Sequence, residues 1–376
     1  MKITDLKCTL LEPYGPFIWW EGPPFMANCV LFRVLTDEGI EGQCMTWMIE
    51  SPGRLEERIP KIKKIIVGQD PHNVEQITWT LTSKYEKPGP ISSAIDIAIW
   101  DILGKYHNQP IYKLLGATRD KILAYASTQR YETNQEYIDL AKECQAQGFK
   151  AYKVHGIGNL QRDIDMCKAL REAMGPDFAL LLDAMNWYNR FDAYKLGKVV
   201  EELNFEWYEA PIADEDIEGL KWLKSKLTVP ISAVESYTGG IRGWVRWLTE
   251  HSVDSIRTFG DITGGISSLR RMAVISEVFD TSFDSHSYGP VHVQAAHLHV
   301  MLASHNVKYL EIPVPLGYEF DKGMKDVIRC DQDGYVHAPT KPGLGYELDE
   351  DEIDRLTVRE LGTCDMTGIT TSLMRF

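Results

Sequence analysis

The sequence predicts an α/β protein whose larger part is a parallel barrel of alternating strands and helices, and three observations lead there. Short β-rich runs recur from about residue 120 onward, helical periodicity fills the intervals, and the residues before about 115 follow another order, strands first and helices later. The runs lie at 122–128 (ILAYAST), 151–156 (AYKVHG), 179–185 (ALLLDAM), 205–211 (FEWYEAP), 230–235 (PISAVE), 255–260 (SIRTFG), 281–286 (TSFDSH) and 309–314 (YLEIPV). They begin about 25–29 residues apart, one strand–helix unit each time. Stretches such as 135–147, 161–174 and 266–279 carry the helical period between them. A doubly wound open sheet is the alternative, but no G-x-G-x-x-G opens the first helix and no phosphate loop is present.

Residues 1–115 read as a separate α+β domain. Strands at 28–35 (NCVLFRVL) and 40–48 follow an initial strand, and helical segments come after them at 54–66, 73–85 and 91–107. The barrel occupies 116–325. The tail, 326–376, contains a hairpin-like DQDGYV and then KPGLG, without further alternation, and is expected to return to the first domain.

Composition narrows the function. With 376 residues, 44% hydrophobic and 25% charged, the chain is globular and long enough for two domains. A net charge of −14 argues against nucleic acid or anionic membranes as partners, and any site for an acidic substrate must carry its own cations. The seven cysteines are dispersed with no C-x-x-C, the pattern of reduced thiols. The amino terminus lacks the apolar stretch of a signal peptide, and no run approaches the ~18 apolar residues of a membrane span. A soluble, cytoplasmic protein is expected.

In a barrel of this kind chemistry sits at the carboxyl ends of the strands. Asp183 ends the third run, Glu209 the fourth and Glu235 the fifth, each 26 residues after the last. Three acids on neighbouring strands at one height would converge, repel and raise one another's pKa. A hard divalent cation resolves this, and oxygen-only ligands with open positions suit Mg²⁺ better than zinc. The plainer reading, isolated acids capping helices or pairing with lysines, serves for one acid better than for three in register. Lys153 and His155, two residues apart on the second run, face the same side. His286 ends the seventh run and Glu311 lies in the eighth, on the arc the three acids leave open. Each has a structural reading too: Lys153 as a partner of Asp183, His286 as a bonded core histidine. Together they suit removal of a proton α to a carboxylate, with the cation and Lys153 stabilising the developing charge and a neutral histidine accepting the proton.

These residues resemble the mandelate racemase branch of the enolase superfamily. The likeness runs through SAIDIAIWDILGKYHNQPIYKLLG at 93–116, then AYKVH, LLLDA, WYEAP, AVES, DSH and YLE in family order. It implies a modified (β/α)7β TIM barrel under an α+β capping domain built from both termini. It also implies Asp183, Glu209 and Glu235 as Mg²⁺ ligands, a small-molecule carboxylate substrate, and a homo-oligomer, dimer or octamer. Three departures bear on function. His155 stands where the family's second strand carries a second lysine. Phe259 stands where the sixth strand carries the aspartate partner of His286, with Asp261 and Asp284 as stand-ins. Asn186 falls one place late for the family's Asp-x-Asn. A seventh-strand histidine in this family goes most often with dehydration of a sugar acid to a 2-keto-3-deoxy acid. Racemisation or epimerisation, and a non-catalytic sugar-acid-binding paralogue, are the rival readings. The expected division of labour makes His155 the base and His286 the acid, with Lys153 on the substrate carboxylate and Glu311 bonding an enediolate oxygen.

Weaker signals lie in the first domain. Trp19 and Trp20, in YGPFIWWEGPPFM, and Trp47 in the next loop are candidates to cover a sugar face, or simply packed loop residues. The cluster His292, His297, His299 and His305 reads as structural, because its members fall on different helix faces and no H-E-x-x-H occurs.

Overall fold

The computed structural model describes residues 1–17, 25–48, 51–85, 89–235, 240–317 and 319–362. Trp19 and Trp20 lie outside them. Three antiparallel strands open the chain: β1 (Ile3–Phe17), β2 (Phe25–Thr36) and β3 (Glu41–Met48). Eight parallel strands follow: β4 (Lys121–Ser127), β5 (Ala151–His155), β6 (Ala179–Asp183), β7 (Trp207–Glu209), β8 (Ile231–Ala233), β9 (Ser255–Phe259), β10 (Ser282–His286) and β11 (Tyr309–Pro313). They pair in the order β10-β9-β8-β7-β6-β5-β4-β11, a nearly closed barrel. All eight runs read from the sequence are strands, shortened at their ends. Helices fill the intervals, and those after β4, β5, β6 and β7 start at Thr133, Asn159, Asn189 and Asp216, whose side chains accept from first-turn N–H groups. No described helix is long and apolar enough to cross a membrane.

The segment after residue 325 divides between the two bodies. β12 (Tyr335–His337) runs antiparallel to β4 at the foot of the barrel, whereas β13 (Thr357–Leu361) joins the edge of the first sheet beside β1. That sheet reads β13-β1-β2-β3.

The two bodies are joined by the helix Pro90–Tyr106, which is buried on nearly every face, as an all-round apolar helix must be. Its two aspartates are its fasteners. Asp96 accepts from Thr78 Oγ1 at 2.9 Å and from the Ser267 N–H at 3.0 Å, which ties it to the start of the helix Gly265–Val278. Asp101 accepts from the N–H groups of Gln43 (3.0 Å) and Leu344 (2.8 Å). Gly343, at φ +73, leaves that carboxylate room: a Cβ there would lie 2.1 Å from Asp101 Oδ1.

The helix Val291–Leu302 supplies a second set of fasteners, and these are the clustered histidines. His292 Nδ1 accepts from the Met45 N–H at 3.0 Å, and its Nε2 lies 3.2 Å from the Tyr346 carbonyl. His299 does the same between the Tyr112 N–H (3.0 Å) and the Leu344 carbonyl (3.0 Å). His297 bonds the Gly260 N–H at 3.1 Å and Ser285 Oγ at 2.5 Å, while His305 is exposed. A ring that accepts at one nitrogen and donates at the other must be neutral. Burial accordingly pushes His292 and His299 down to about 4.

This has a consequence for acid stability. Because folding depresses these two pKa values, the unfolded chain takes up protons first as pH falls below about 6.5. Stability is therefore lost between about pH 6.5 and 4, by on the order of 3 kcal/mol per histidine. Urea denaturation at pH 7, 5.5 and 4.5 is expected to give a shallower pH dependence for the double variant His292→Gln/His299→Gln than for the natural protein. Parallel curves would assign the acid lability to other groups.

Candidate active site

The interior of the barrel is layered, because strand side chains alternate and residues two apart share a face. Tyr125, Ala151, Leu181, Trp207 and Tyr309 form one buried cluster. Three of its rings meet edge to face: Tyr125–Trp207 at 5.4 Å, Trp207–Tyr309 at 6.0 Å and Tyr125–Tyr309 at 6.2 Å. Two residues further along four of the same strands come Lys153, Asp183, Glu209 and Glu311. The polar layer thus rests on an apolar floor.

Asp183 and Glu209 are direct partners across β6 and β7, and His155 is the partner of Asp183 across β5 and β6. Glu235 is not placed by a strand. β8 ends at Ala233, and the chain reaches Glu235 through Val234 at φ +79. Met185 (φ 55), Asn186 (φ 60) and Ala210 (φ 43) likewise follow the other acids in left-handed conformations. Such conformations are unfavourable for side chains, most of all β-branched ones, and cluster where a site over-determines the backbone. The equal spacing of the acids therefore finds three residues that the fold brings together but not the means by which the third arrives.

The centre of the site is a network of ions out of water. Lys153 Nζ lies 3.0 Å from Glu209 Oε1, 3.1 Å from Glu311 Oε1 and 3.6 Å from Asp183 Oδ2. Sequence reasoning missed its other cation, Arg257 of β9, which is 0% exposed. Its Nε lies 2.7 Å from Glu209 Oε1 and also bonds Glu235, Nη2 lies 2.7 Å from Glu311 Oε2, and Nη1 donates to the Tyr125 hydroxyl at 3.0 Å. The signal was present, since Arg257 stands two residues before Phe259 in a strand otherwise short of charge. Glu209 is the hub: Oε1 receives Lys153 and Arg257, and Oε2 accepts from Trp207 Nε1 at 3.0 Å.

Burial opposes charge on every one of these groups, so the directions of their pKa shifts identify the dominant partners. Glu209 and Glu311 outweigh burial and hold Lys153 and Arg257 above their ordinary ranges. Arg257 and Lys153 hold Glu311 well below the usual carboxylate range, and Lys153 with His155 lowers Asp183. Glu235 is lowered chiefly by His286 and Arg257. Glu209 goes the other way: burial and the charge on Asp183 push it well above the carboxylate range despite Arg257. Fully ionised, the four carboxylates of the layer would exceed its two permanent cations by two negative charges, and the raised pKa of Glu209 answers to that excess. The donor set fits a hard divalent cation. Asp183, Glu209 and Glu235 offer oxygen atoms all within 4.8 Å of one another, and one such cation would neutralise the excess.

The histidines differ in their surroundings. His155 Nε2 lies 3.4 Å from Asp183 Oδ2. The ring of His286 packs on that of Phe259, with centroids 3.8 Å apart, and its Nε2 lies 3.8 Å from Glu235 Oε1. Burial lowers the pKa of His286 against the pull of Glu235. The two stand-ins for a carboxylate partner are engaged elsewhere. Asp261 accepts from Trp47 Nε1 at 2.9 Å and is pushed by burial up to about 6. Asp284 sits beside Arg257 in the ladder, bonded to the Ser255 hydroxyl. Trp47 therefore has its N–H committed to Asp261, and its ring packs edge to face against Phe17 and Phe320, both at 5.6 Å. Asn186 lies in the turn after β6, its N–H bonded to the Ala210 carbonyl at 2.8 Å.

Comparison with known proteins agrees with this architecture. A family profile described as "Enolase C-terminal domain-like" matches residues 136–352, and one for the "Mandelate racemase / muconate lactonizing enzyme, N-terminal domain" matches residues 24–116. A D-galactonate dehydratase family member of Streptomyces bingchenggensis is 30% identical, over 86% of this chain and 88% of its own. An N-succinyl-L-Arg/Lys racemase of Bacillus cereus is 26% identical, over 95% of this chain and 98% of its own. The crystal structure of D-glucarate dehydratase from Agrobacterium tumefaciens complexed with magnesium superposes with a TM-score of 0.84 at 29% identity, over 96% of this chain and 100% of that one. With both domains matched, the chain is an enzyme of the enolase superfamily and belongs to its mandelate racemase/muconate lactonizing enzyme family.

Proposed function

We propose that the enzyme dehydrates a sugar acid, an aldonate or aldarate, to the 2-keto-3-deoxy acid, using Mg²⁺ held by Asp183, Glu209 and Glu235. The observation that carries this reading is the buried cluster of those three acids with Lys153, flanked by two histidines of unlike surroundings. Two relatives named for sugar acids, a galactonate dehydratase family member and a glucarate dehydratase, support the substrate class. Mg²⁺, when bound, supplies positive charge for the substrate carboxylate and for the charge that develops on it.

The chain's own residues do the rest. Lys153, held protonated by Glu209 and Glu311, faces the substrate carboxylate and stabilises the second negative charge of the enediolate. Glu311, held ionised by Arg257 and Lys153, fixes Lys153 beside the substrate carboxylate, and a hydrogen bond from it to an enediolate oxygen would first require its protonation. His155 takes the proton from the α-carbon. His286 gives a proton to the β-hydroxyl, which leaves as water, and the resulting enol becomes the keto acid. At rest burial keeps His286 neutral, so it must first take up a proton. Glu235 at 3.8 Å favours that form, and the low pKa makes it a ready donor. The rival reading is racemisation or epimerisation, favoured by the racemase relative and by a histidine on each of two well-separated strands. A screen of sugar acids with the Mg²⁺-loaded enzyme separates the two. Dehydration yields a keto acid that semicarbazide detects, whereas racemisation yields only exchange and a change of configuration.

Two variants test the parts. Asp183→Asn keeps the contacts among Lys153, Glu209 and Glu311, so the fold should persist while Mg²⁺ affinity, measured by calorimetry, falls by at least about tenfold, the scale on which even outer-shell changes act. Unchanged binding would remove Asp183 from the ligand set. In deuterium oxide, His286→Asn should retain exchange at the α-carbon and lose elimination, and His155→Asn should lose both. The opposite pattern would mean that the two roles are exchanged.

A further inference from the structure

Arg257 is a fixed cation in contact with two of the three acids assigned to the metal. Its Nε meets Glu209 Oε1 at 2.7 Å and bonds Glu235, while Nη2 reaches Glu311 at 2.7 Å and Nη1 the Tyr125 hydroxyl at 3.0 Å. The contacts to Glu209, Glu311 and Tyr125 are made out of water, whereas Glu235 is partly exposed toward the mouth. A guanidinium has five donors in a rigid fork and keeps its charge. It therefore does two things that oppose each other: it holds carboxylates that would otherwise repel, and it presents a like charge to any cation that enters.

We propose that Arg257 is a resident counter-ion and positioning residue. It keeps Glu209, Glu235 and Glu311 together in the metal-free protein, and it sets the affinity for the divalent cation below what the three ligand acids alone would give. This rests on the reading of Asp183, Glu209 and Glu235 as a metal site. Of the two opposing effects on the metal, charge decides. A unit positive charge against a divalent ion a few ångströms away outweighs the gain from pre-formed ligands, because Coulomb energies at such distances are large even at an effective dielectric constant of about 20. Without Arg257 the layer would carry one more negative charge in excess, relieved by the entering cation. Lys153 does not duplicate the role, because among its contacts are Asp183, Glu209 and Glu311, whereas Arg257 is the cation bonded to Glu235.

The test is titration of the metal-free protein with MgCl₂ by calorimetry, together with melting temperatures with and without Mg²⁺. Arg257→Met should bind Mg²⁺ at least tenfold more tightly than the natural protein. It should melt lower without the metal and recover more of the loss when Mg²⁺ is added. Arg257→Lys, which keeps the charge and loses the fork, should bind Mg²⁺ within about threefold of the natural protein. If Arg257→Met does not fold, Glu311→Gln and Glu311→Gln/Arg257→Met form a second pair in which the excess charge is smaller, and the same tenfold difference is expected between them. An affinity unchanged within twofold, or weakened, on loss of Arg257, with melting lowered equally in the two conditions, would overturn the proposal and leave Arg257 a packing residue. Absence of Mg²⁺ binding by the natural protein would instead remove the metal reading, and this inference with it.

Discussion

Four carboxylates and two permanent cations share a layer of the barrel from which water is excluded on the lower side. Charges in such a place are stable only when paired and hydrogen-bonded, because desolvation costs several kcal/mol per ion. Lys153 and Arg257 meet that condition for Glu311, for Asp183 and for part of Glu235. Glu209 carries what remains. It receives both cations and the indole N–H of Trp207, yet its carboxyl is still pushed up by burial and by Asp183. The layer is therefore built to accept more positive charge from its open side. A divalent cation and the anionic substrate that follows it are the natural completion of that balance.

The remainder of the fold is arranged around this layer. The aromatic floor of Tyr125, Trp207 and Tyr309 closes the barrel from below, so screening can come only through the mouth. It is not inert, since Tyr125 accepts from Arg257 and Trp207 donates to Glu209. Above, the first domain is clamped by neutral histidines and by the two aspartates of the joining helix, which accept from backbone amides, with Asp101 also paired to Lys105 at 2.6 Å.

The sequence made the barrel and two of its three clustered acids legible because both follow from period. A strand–helix unit repeats, side chains alternate, and Asp183 and Glu209 fall at successive strand ends and pair in register. Legibility failed where position depends on something other than period. Glu235 comes from beyond its strand through a left-handed valine, which no propensity predicts. Arg257 was passed over because the strand was read at Phe259, where a familiar aspartate was missing, although the same alternation points Arg257 at the acids. Asp261 and Asp284 were plausible partners for His286 by nearness in sequence, but helix geometry turns the first toward Trp47 and ladder register puts the second beside Arg257. The helix Pro90–Tyr106 lies where the period places one, at 91–107, and its aspartates, which look like ordinary surface acids, are buried by contacts more than a hundred residues away in sequence.

The unlike surroundings of the two histidines bear on which chemistry the cavity suits. A proton taken up by His155 finds the Asp183 carboxylate 3.4 Å from Nε2, so the charge created there is met at once. A proton on His286 finds the face of Phe259, with Glu235 only at 3.8 Å and itself engaged by Arg257. Burial lowers the pKa of His286, so that ring is disposed to release a proton. Racemisation asks the reverse: the two groups must exchange roles with each turnover, and each must be a base in one direction and an acid in the other. Elimination asks for a fixed direction, base on the α-carbon and acid on the departing hydroxyl. On the proposed reading, an aromatic ring in place of a carboxylate beside His286 favours such a direction, and it leaves Asp183, Glu209, Glu235 and Lys153 in place.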